Sequence, residues 1–253
     1  MDRARNKDQT IQKEVKVGTR LFYYFYKIQE KVWRFLSKKS RINGLCLVFH
    51  HVTDTHLDEL ENCQCRITVF HKILSNLSEQ GYKFVSVQTG MRMIKEHSTT
   101  KFVIVTFDDV PDNFYSNAYP ILKEMKVPFT LFITSTFLYK DGYLTKEQIK
   151  QLSKDPLCTI GAHSRTHPQL RYSSTMEDEI INCKKEIESI IEKEIDYFAY
   201  PYGRVNTVNK RAISIAKKTY KNAFSTINCK LSDFTSKQTH NLPRVPLNNL
   251  YSE

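Results

Sequence analysis

The stretch Phe102-Val-Ile-Val-Thr-Phe-Asp-Asp109 joins a short apolar run to two adjacent carboxylates. Its β-branched and aromatic residues predict a strand that is buried on both faces, as in a parallel sheet. Burial gives no reason for Asp108 and Asp109, which repel each other unless a cation or a proton lies between them. Parallel folds place their chemistry at the carboxyl ends of their strands. The alternative interpretation is a strand followed by an acidic turn that caps the next helix.

Strands and helices alternate on both sides of this stretch. Further strands are predicted at 45–49, 84–87, 129–133, 157–162, 197–200, 222–225 and 242–247. Helices are predicted at 69–80, 91–96, 113–125, 145–152, 175–193 and 208–219. About seven alternations predict an α/β fold of parallel βαβ units, which either close into a barrel or form an open sheet.

Composition limits the protein class but not the function. The chain has 253 residues, of which 40% are hydrophobic, so it is long enough for one large globular domain. The net charge of +11 predicts an anionic partner or surface, without separating nucleic acid, anionic lipid and acidic glycan. Because the sequence contains no nucleic-acid recognition motif, nucleic-acid binding is not expected.

Cysteine usage and the lengths of apolar runs predict the cellular location of the protein. The six cysteines are scattered, a pattern that favours reduced thiols over a disulfide scaffold. We see no secretory signal and no apolar run that could cross a bilayer. These features predict a cytoplasmic protein, with a possible peripheral position at the inner membrane face.

Residues 1–40 differ from the rest of the chain. Apolar residues recur there at helical spacing among many lysines and arginines, which predicts a basic amphipathic helix. One interpretation is a helix packed on the outside of the domain, and the other is a helix lying on an anionic membrane surface. We therefore divide the chain into an N-terminal extension, 1–40, and a main domain, 41–253.

Four polar clusters follow predicted strands: His50-His51, Asp108-Asp109, His163-Ser-Arg-Thr-His167 and Tyr200-Pro-Tyr-Gly203. In a parallel barrel these ends converge on one rim. Two imidazoles four residues apart, together with one carboxylate, form a three-ligand site that is typical of catalytic zinc. A second carboxylate beside it can act as a general base. Each cluster alone is more often structural, but packing does not easily explain all of them together.

Taken together, these motifs resemble the polysaccharide deacetylases of carbohydrate esterase family 4, the NodB-homology type, over about residues 44–247. The matching segments are Thr106-Phe-Asp-Asp109, His163-Ser-Arg-Thr-His167 and Phe198-Ala-Tyr-Pro-Tyr-Gly203. The resemblance implies a distorted (β/α) barrel. It also implies a metal-dependent enzyme, usually with zinc, that hydrolyses the acetamide of an N-acetylated amino sugar and releases acetate.

The resemblance also implies a role for each matching residue. The expected metal ligands are Asp109, His163 and His167. Asp108 is the expected general base, because it lies beside the metal-bound water. The backbone N–H of Tyr202, next to Pro201, is expected to bind the oxyanion at the substrate site.

The sequence departs from the family pattern at three places. Val110 replaces the glycine that usually follows the two aspartates, and Ala199 replaces an arginine that usually orients the base. The late Leu-x-His motif, which usually supplies the general acid, is missing, and 242–246 reads Leu-Pro-Arg-Val-Pro instead. By charge alone, Arg244 is the candidate to replace the arginine.

The general acid has three candidates. Similar departures occur in the poly-N-acetylglucosamine deacetylase branch, where the acid is the histidine of an early Tyr-His pair. Phe49-His50 matches that pair, which makes His50 the first candidate, His51 the second and His240 the third.

Two functions remain open. The first is an N-deacetylase whose substrate is a glycan or a lipid- or nucleotide-linked amino sugar. The second is a carbohydrate-binding or scaffolding protein on a decayed enzyme fold, which Ala199 and the missing late histidine favour. The complete set of two aspartates and two histidines argues against it, because a binding module does not need a base beside a metal.

Overall fold

The computed structural model describes residues 27–57 and 63–246. The strands are β1 (Gly44–Phe49), β2 (His51–Val52), β3 (Gln64–Cys65), β4 (Lys83–Phe84), β5 (Phe102–Asp108), β6 (Phe129–Ile133), β7 (Cys158–Ala162), β8 (Tyr197–Ala199), β9 (Asn222–Phe224) and β10 (Val245–Pro246). The helices are α1 (27–37), α2 (Ile67–Glu79), α3 (Val87–Lys95), α4 (Tyr119–Glu124), α5 (Lys146–Leu152), α6 (Cys183–Ile191) and α7 (Lys210–Thr219).

The main sheet is parallel throughout. Seven of its strands lie in the order β10-β1-β5-β6-β7-β8-β9, and the short β4 pairs with the first part of β5. Every residue of β5 is buried, as its continuous apolar pattern predicts for a strand covered on both faces. The strand register sets Phe49 at the end of β1 opposite Phe107, so the next residues, His50 and Asp108, reach the same edge.

A short closing segment, 242–246, joins the two edges of this sheet. Leu242 bridges Phe224 of β9, and Val245 pairs with Leu47 of β1. The row of strands is thereby closed into a distorted (β/α) barrel, and the predicted fold of about seven strands is confirmed. Arg244 lies inside this segment and is fully buried, so closure brings a cation into the barrel.

The helices predicted at 113–125 and 175–193 each contain a π-helical turn that the sequence pattern does not reveal. Phe114–Ala118 forms one such turn, and α4 begins after it with Pro120 in its first turn, where a missing N–H costs nothing. Asp178–Asn182 forms the other, immediately before α6. The helix expected at 175–193 is therefore interrupted, and it ends at Ile191 with Glu192 in the left-handed conformation.

The N-terminal segment is described only from residue 27 onward, so the predicted helical pattern before that point lies outside the described residues. Residues 27–37 are helical, and Trp33 packs against Phe234 with ring centroids 5.3 Å apart. The division of the chain at residue 40 stays a prediction. Within the described residues, no helix combines the length and the apolar character needed to span a bilayer.

Candidate active site

Three predicted ligand residues converge at the carboxyl ends of the strands. Asp109 follows β5, and His163 and His167 follow β7. One ligand atom from each residue lies within 4.8 Å of the others, as a single metal ion requires of its ligands. The His167 Nε2 atom is 3.6 Å from Asp109 Oδ1, and the His163 Nε2 atom is 3.9 Å from the same oxygen.

The chemistry of His163 suits a metal ligand. Its Nδ1–H donates a hydrogen bond of 2.8 Å to the Ala199 carbonyl, which leaves a lone pair on Nε2. Burial lowers the pKa of His163 to about 4, so the ring is neutral at neutral pH. The unprotonated Nε2 atom therefore faces the carboxylate oxygens of Asp109 and Asp108, and all of these atoms are hydrogen-bond acceptors. A divalent cation fits such a set of one carboxylate and two imidazoles.

The turn between the two histidines is held by a buried carboxylate. Glu179, which is 3% exposed, accepts hydrogen bonds from the N–H of Arg165 and from the N–H and hydroxyl of Thr166, at 2.6–2.9 Å. The Ser164 hydroxyl accepts a further bond from the His167 N–H. Glu179 lies in the π-helical turn before α6, and its side chain reaches the turn between the two histidines. No motif pointed to Glu179, because its role depends on a contact between two elements.

Asp108 is fixed by Arg244. The two guanidinium Nη atoms donate one hydrogen bond of 2.6 Å to each carboxylate oxygen, and Nη1 also donates to the Thr106 hydroxyl. Burial would raise the pKa of Asp108, but the charge and the hydrogen bonds of Arg244 outweigh it and hold the pKa well below its usual range. Asp108 is therefore ionised, and its Oδ2 lies 3.7 Å from His163 Nε2.

The backbone after β5 is strained. Asp109 and Val110 have φ of 61° and 54°, in the left-handed region that L-residues with side chains rarely adopt. For a β-branched residue such as Val110 this conformation is a true outlier. Glycine adopts it without strain, which explains why the family that the sequence resembles usually has glycine at this position. Val110 is 1% exposed and accepts a hydrogen bond from the Leu144 N–H, so its packing holds the strained turn.

The three candidate acids lie in different places. His50 is half-buried just after β1, at the edge of the sheet that Asp108 also reaches, because Phe49 pairs with Phe107. His51 turns to Asn113, whose amide donates to its Nδ1 at 2.9 Å. His240 lies at the other end of the barrel, with Nε2 bonded to the carbonyl of Tyr220, just before β9 begins. His240 is therefore not part of this cluster.

The turn after β8 contributes an aromatic ring. Tyr202 has φ of 60° and is 47% exposed, and its ring centroid lies 4.8 Å from that of His167. Its carbonyl accepts a hydrogen bond from the Thr226 hydroxyl. Pro201 is buried beside it, and Gly203 follows with φ of 61°. The predicted substrate residues Tyr202 and Pro201 thus border the metal-ligand cluster, with the Tyr202 ring facing solvent.

Comparison with known proteins shows which family the chain resembles and which solved structures share its fold. The polysaccharide deacetylase profile matches residues 95–222, which is half of the chain. The poly-beta-1,6-N-acetyl-D-glucosamine N-deacetylase of Staphylococcus aureus strain MRSA252 is 24% identical over 164 residues, which cover 58% of this chain and 57% of that protein. The chain spans about half the length of the curated relatives it matches.

Solved structures share the fold. The Streptococcus pyogenes deacetylase PplD, in complex with acetate, superposes with a TM-score of 0.72 at 24% identity, covering 81% of this chain and 92% of that one. BC0361, a polysaccharide deacetylase from Bacillus cereus, has a TM-score of 0.71 at 21% identity, covering 81% and 64%. The profile match, the barrel and the clustered motifs lead to one conclusion: the chain belongs to the polysaccharide deacetylase family.

Proposed function

We propose that this protein is a metal-dependent N-deacetylase that hydrolyses the acetamide of an N-acetylated amino sugar and releases acetate. The observation that carries the proposal is the convergence of Asp109, His163 and His167 within 4.8 Å, beside the ionised Asp108. A structural role needs no such arrangement. A buried, ionised carboxylate next to a cation site is the arrangement with which a metal-dependent hydrolase activates water.

Asp109, His163 and His167 would hold the divalent cation, and zinc is the first choice for one oxygen and two nitrogen donors. When bound, the cation polarises a carbonyl and acidifies water. Asp108 accepts the proton of the water that attacks the carbonyl carbon, and Arg244 keeps both of its oxygens in place during that transfer.

The remaining roles follow from position. The amine is a poor leaving group until it is protonated, and His50, which follows the strand next to that of Asp108, donates that proton to the amide nitrogen. The N–H of Tyr202 stabilises the oxyanion, because its turn borders the cluster. The half-exposed Tyr202 ring offers an apolar face on which a sugar ring stacks.

The substrate is an N-acetylated amino sugar, in a glycan or linked to a lipid or nucleotide. Poly-β-1,6-linked N-acetylglucosamine is the first glycan to test, because a relative is named for it. The predicted cytoplasmic location stays a prediction.

The test is acetate release from β-1,6- and β-1,4-linked N-acetylglucosamine oligomers, before and after dialysis against a chelator. We expect activity to disappear with the metal and to return with zinc, and we expect Asp109→Ala to be inactive. Asp196→Ala is the matched control, because that carboxylate pairs with Lys221 on the surface. Undiminished turnover by Asp109→Ala would contradict the proposal.

The alternative is a carbohydrate-binding protein without turnover. One of its two arguments, the alanine at position 199, loses weight because Arg244 supplies the guanidinium on Asp108. Stoichiometric metal and oligomer binding, without acetate release from any N-acetylated sugar tested, would favour the alternative.

A further inference from the structure

An apolar stripe runs along the solvent side of α1. Ile28, Val32, Phe35 and Leu36 are exposed by 55%, 48%, 70% and 46%. Their spacing of four, three and one residues places all four side chains on one face of the helix. Four large apolar side chains on a single face form a contiguous patch, which soluble surfaces rarely expose without a partner.

The opposite face of α1 attaches the helix to the barrel. Trp33 is 7% exposed and packs with Ile227, Cys229 and Phe234. The Ser37 hydroxyl lies 2.9 Å from that of Ser232. Because this face is already occupied by the domain, α1 cannot rotate to bury its apolar stripe without giving up these contacts.

A row of cations flanks the stripe. Lys31, Arg34 and Lys38 are exposed and follow one another at three- and four-residue spacing, so they lie along one side of the helix. Lys39 and Arg41 add two exposed cations just beyond its end. Within residues 27–41 the one acidic residue, Glu30, is buried and accepts a hydrogen bond from the Asn228 N–H. The exposed charged side chains within residues 27–41 are therefore all positive, and Asp233, which accepts hydrogen bonds from Ser40 and Arg41, is the acidic group next to the end of the helix.

This pattern favours an anionic partner over a second copy of the chain. A symmetric dimer through the stripes would pair two surfaces whose flanking charges have the same sign, and like charges across an interface oppose association. An anionic bilayer accepts both parts, since its acyl boundary takes apolar side chains and its headgroups attract the flanking cations. We propose that α1 docks on an anionic membrane surface, with the apolar stripe inserted and the cation row on the headgroups.

The proposal does not depend on the deacetylase activity. It assigns a partner to a surface on the barrel wall that shares no residue with the Asp-His-His cluster. If the proposed deacetylase activity and the membrane docking of α1 both hold, the enzyme works on substrate at or near a lipid surface. Turnover of soluble oligomers would then be independent of the stripe.

The test is flotation of the full chain with vesicles of phosphatidylcholine alone and of phosphatidylcholine with phosphatidylglycerol at about 3:1. We expect binding to the anionic vesicles and at least a tenfold lower partition coefficient for Val32→Ser/Phe35→Ser. Tyr139→Ser/Tyr172→Ser is the matched control, because those rings are exposed by 71% and 65% elsewhere on the surface. Lys31→Glu/Arg34→Glu should also weaken binding, most strongly at low salt.

Folding and association are checked in parallel. The altered side chains are exposed, so circular dichroism, thermal unfolding and turnover of soluble substrate should match the wild type. Equal flotation of the wild type and Val32→Ser/Phe35→Ser would overturn the proposal. So would an absence of vesicle binding together with a concentration-dependent dimer that this double substitution dissociates, because the stripe would then be a self-association surface.

Discussion

Arg244 and Asp108 form a two-pronged ion pair across the closure of the barrel. They are separated by 136 residues, and each Nη atom of the arginine lies 2.6 Å from one carboxylate oxygen. The arginine is fully buried, and its Nε also donates to the Ser225 carbonyl. One interaction thus fixes the proposed base and joins the closing segment to the central strand.

Arg244→Met should both destabilise the protein and reduce turnover. It leaves the Asp108 charge buried without its partner, which costs about 3–5 kcal/mol for pairs of this kind. Arg244→Lys keeps the charge but not the fork, so we expect an intermediate result. Denaturant unfolding and acetate release measure the two effects. In a double-mutant cycle, Asp108→Asn should be less harmful in the Arg244→Met background, and strictly additive losses would mean that the pair is not coupled.

Glu179→Ala should weaken metal binding although Glu179 is not an expected ligand. Its carboxylate holds the N–H groups of Arg165 and Thr166, between the two histidines. Loss of such outer contacts typically lowers metal affinity about 10–100-fold. Zinc affinity, measured by competition with a chromophoric chelator, checks this. Glu179→Gln should recover part of the affinity, and Glu177→Gln, an exposed residue two positions away, should match the wild type. Unchanged zinc affinity in Glu179→Ala would show that the turn holds its shape without this carboxylate.

Substitution of the three candidate histidines should separate their roles. His50→Ala should lower kcat by about 10²–10⁴-fold, which is the usual contribution of a general acid. The loss should shrink with an activated acetanilide, because a good leaving group needs less protonation. His240→Ala should leave kcat unchanged, because its ring faces the Tyr220 carbonyl at the far end of the barrel. A large kcat loss in His51→Ala with none in His50→Ala would move the role to His51.

Gly203→Ala should disturb the Tyr202 turn more than the same change elsewhere. Gly203 has φ of 61°, and a Cβ there would lie 2.6 Å from the Thr226 nitrogen. Gly142 has φ of 83° and nothing within 4 Å of the place a methyl group would take, so Gly142→Ala carries only the conformational cost of about 1 kcal/mol. The difference in unfolding free energy between the two variants isolates the clash, and a raised KM in Gly203→Ala alone would connect it to the substrate site. Equal losses would mean that the neighbouring backbone yields.

The amino-acid pattern alone predicted parallel βαβ units and the polar residues at the carboxyl ends of their strands, and the family resemblance then selected a closed barrel over an open sheet. A strand such as β5, buried on both faces, needs a continuous apolar run, so Asp108 and Asp109 are recognisable because they break it. The same reasoning located His163 at the end of β7. Local signals also predicted helix positions to within a few residues, but not the π-helical turns at Phe114–Ala118 and Asp178–Asn182, since one extra residue in a turn leaves little trace in an apolar pattern.

The distant groups that support that rim could be identified only in the folded chain. Charge suggested Arg244, but its fork on Asp108 exists because the closing segment runs between β9 and β1. Glu179 reaches the ligand turn because a helix packs beside β7, and the sequence contains no local sign of that contact. The solvent-facing side of α1 was set in the same way, by Trp33 packing on Phe234. The local sequence pattern indicates which residues are buried. The contacts of Arg244, Glu179 and Trp33, in contrast, join chain segments that meet only when the barrel closes.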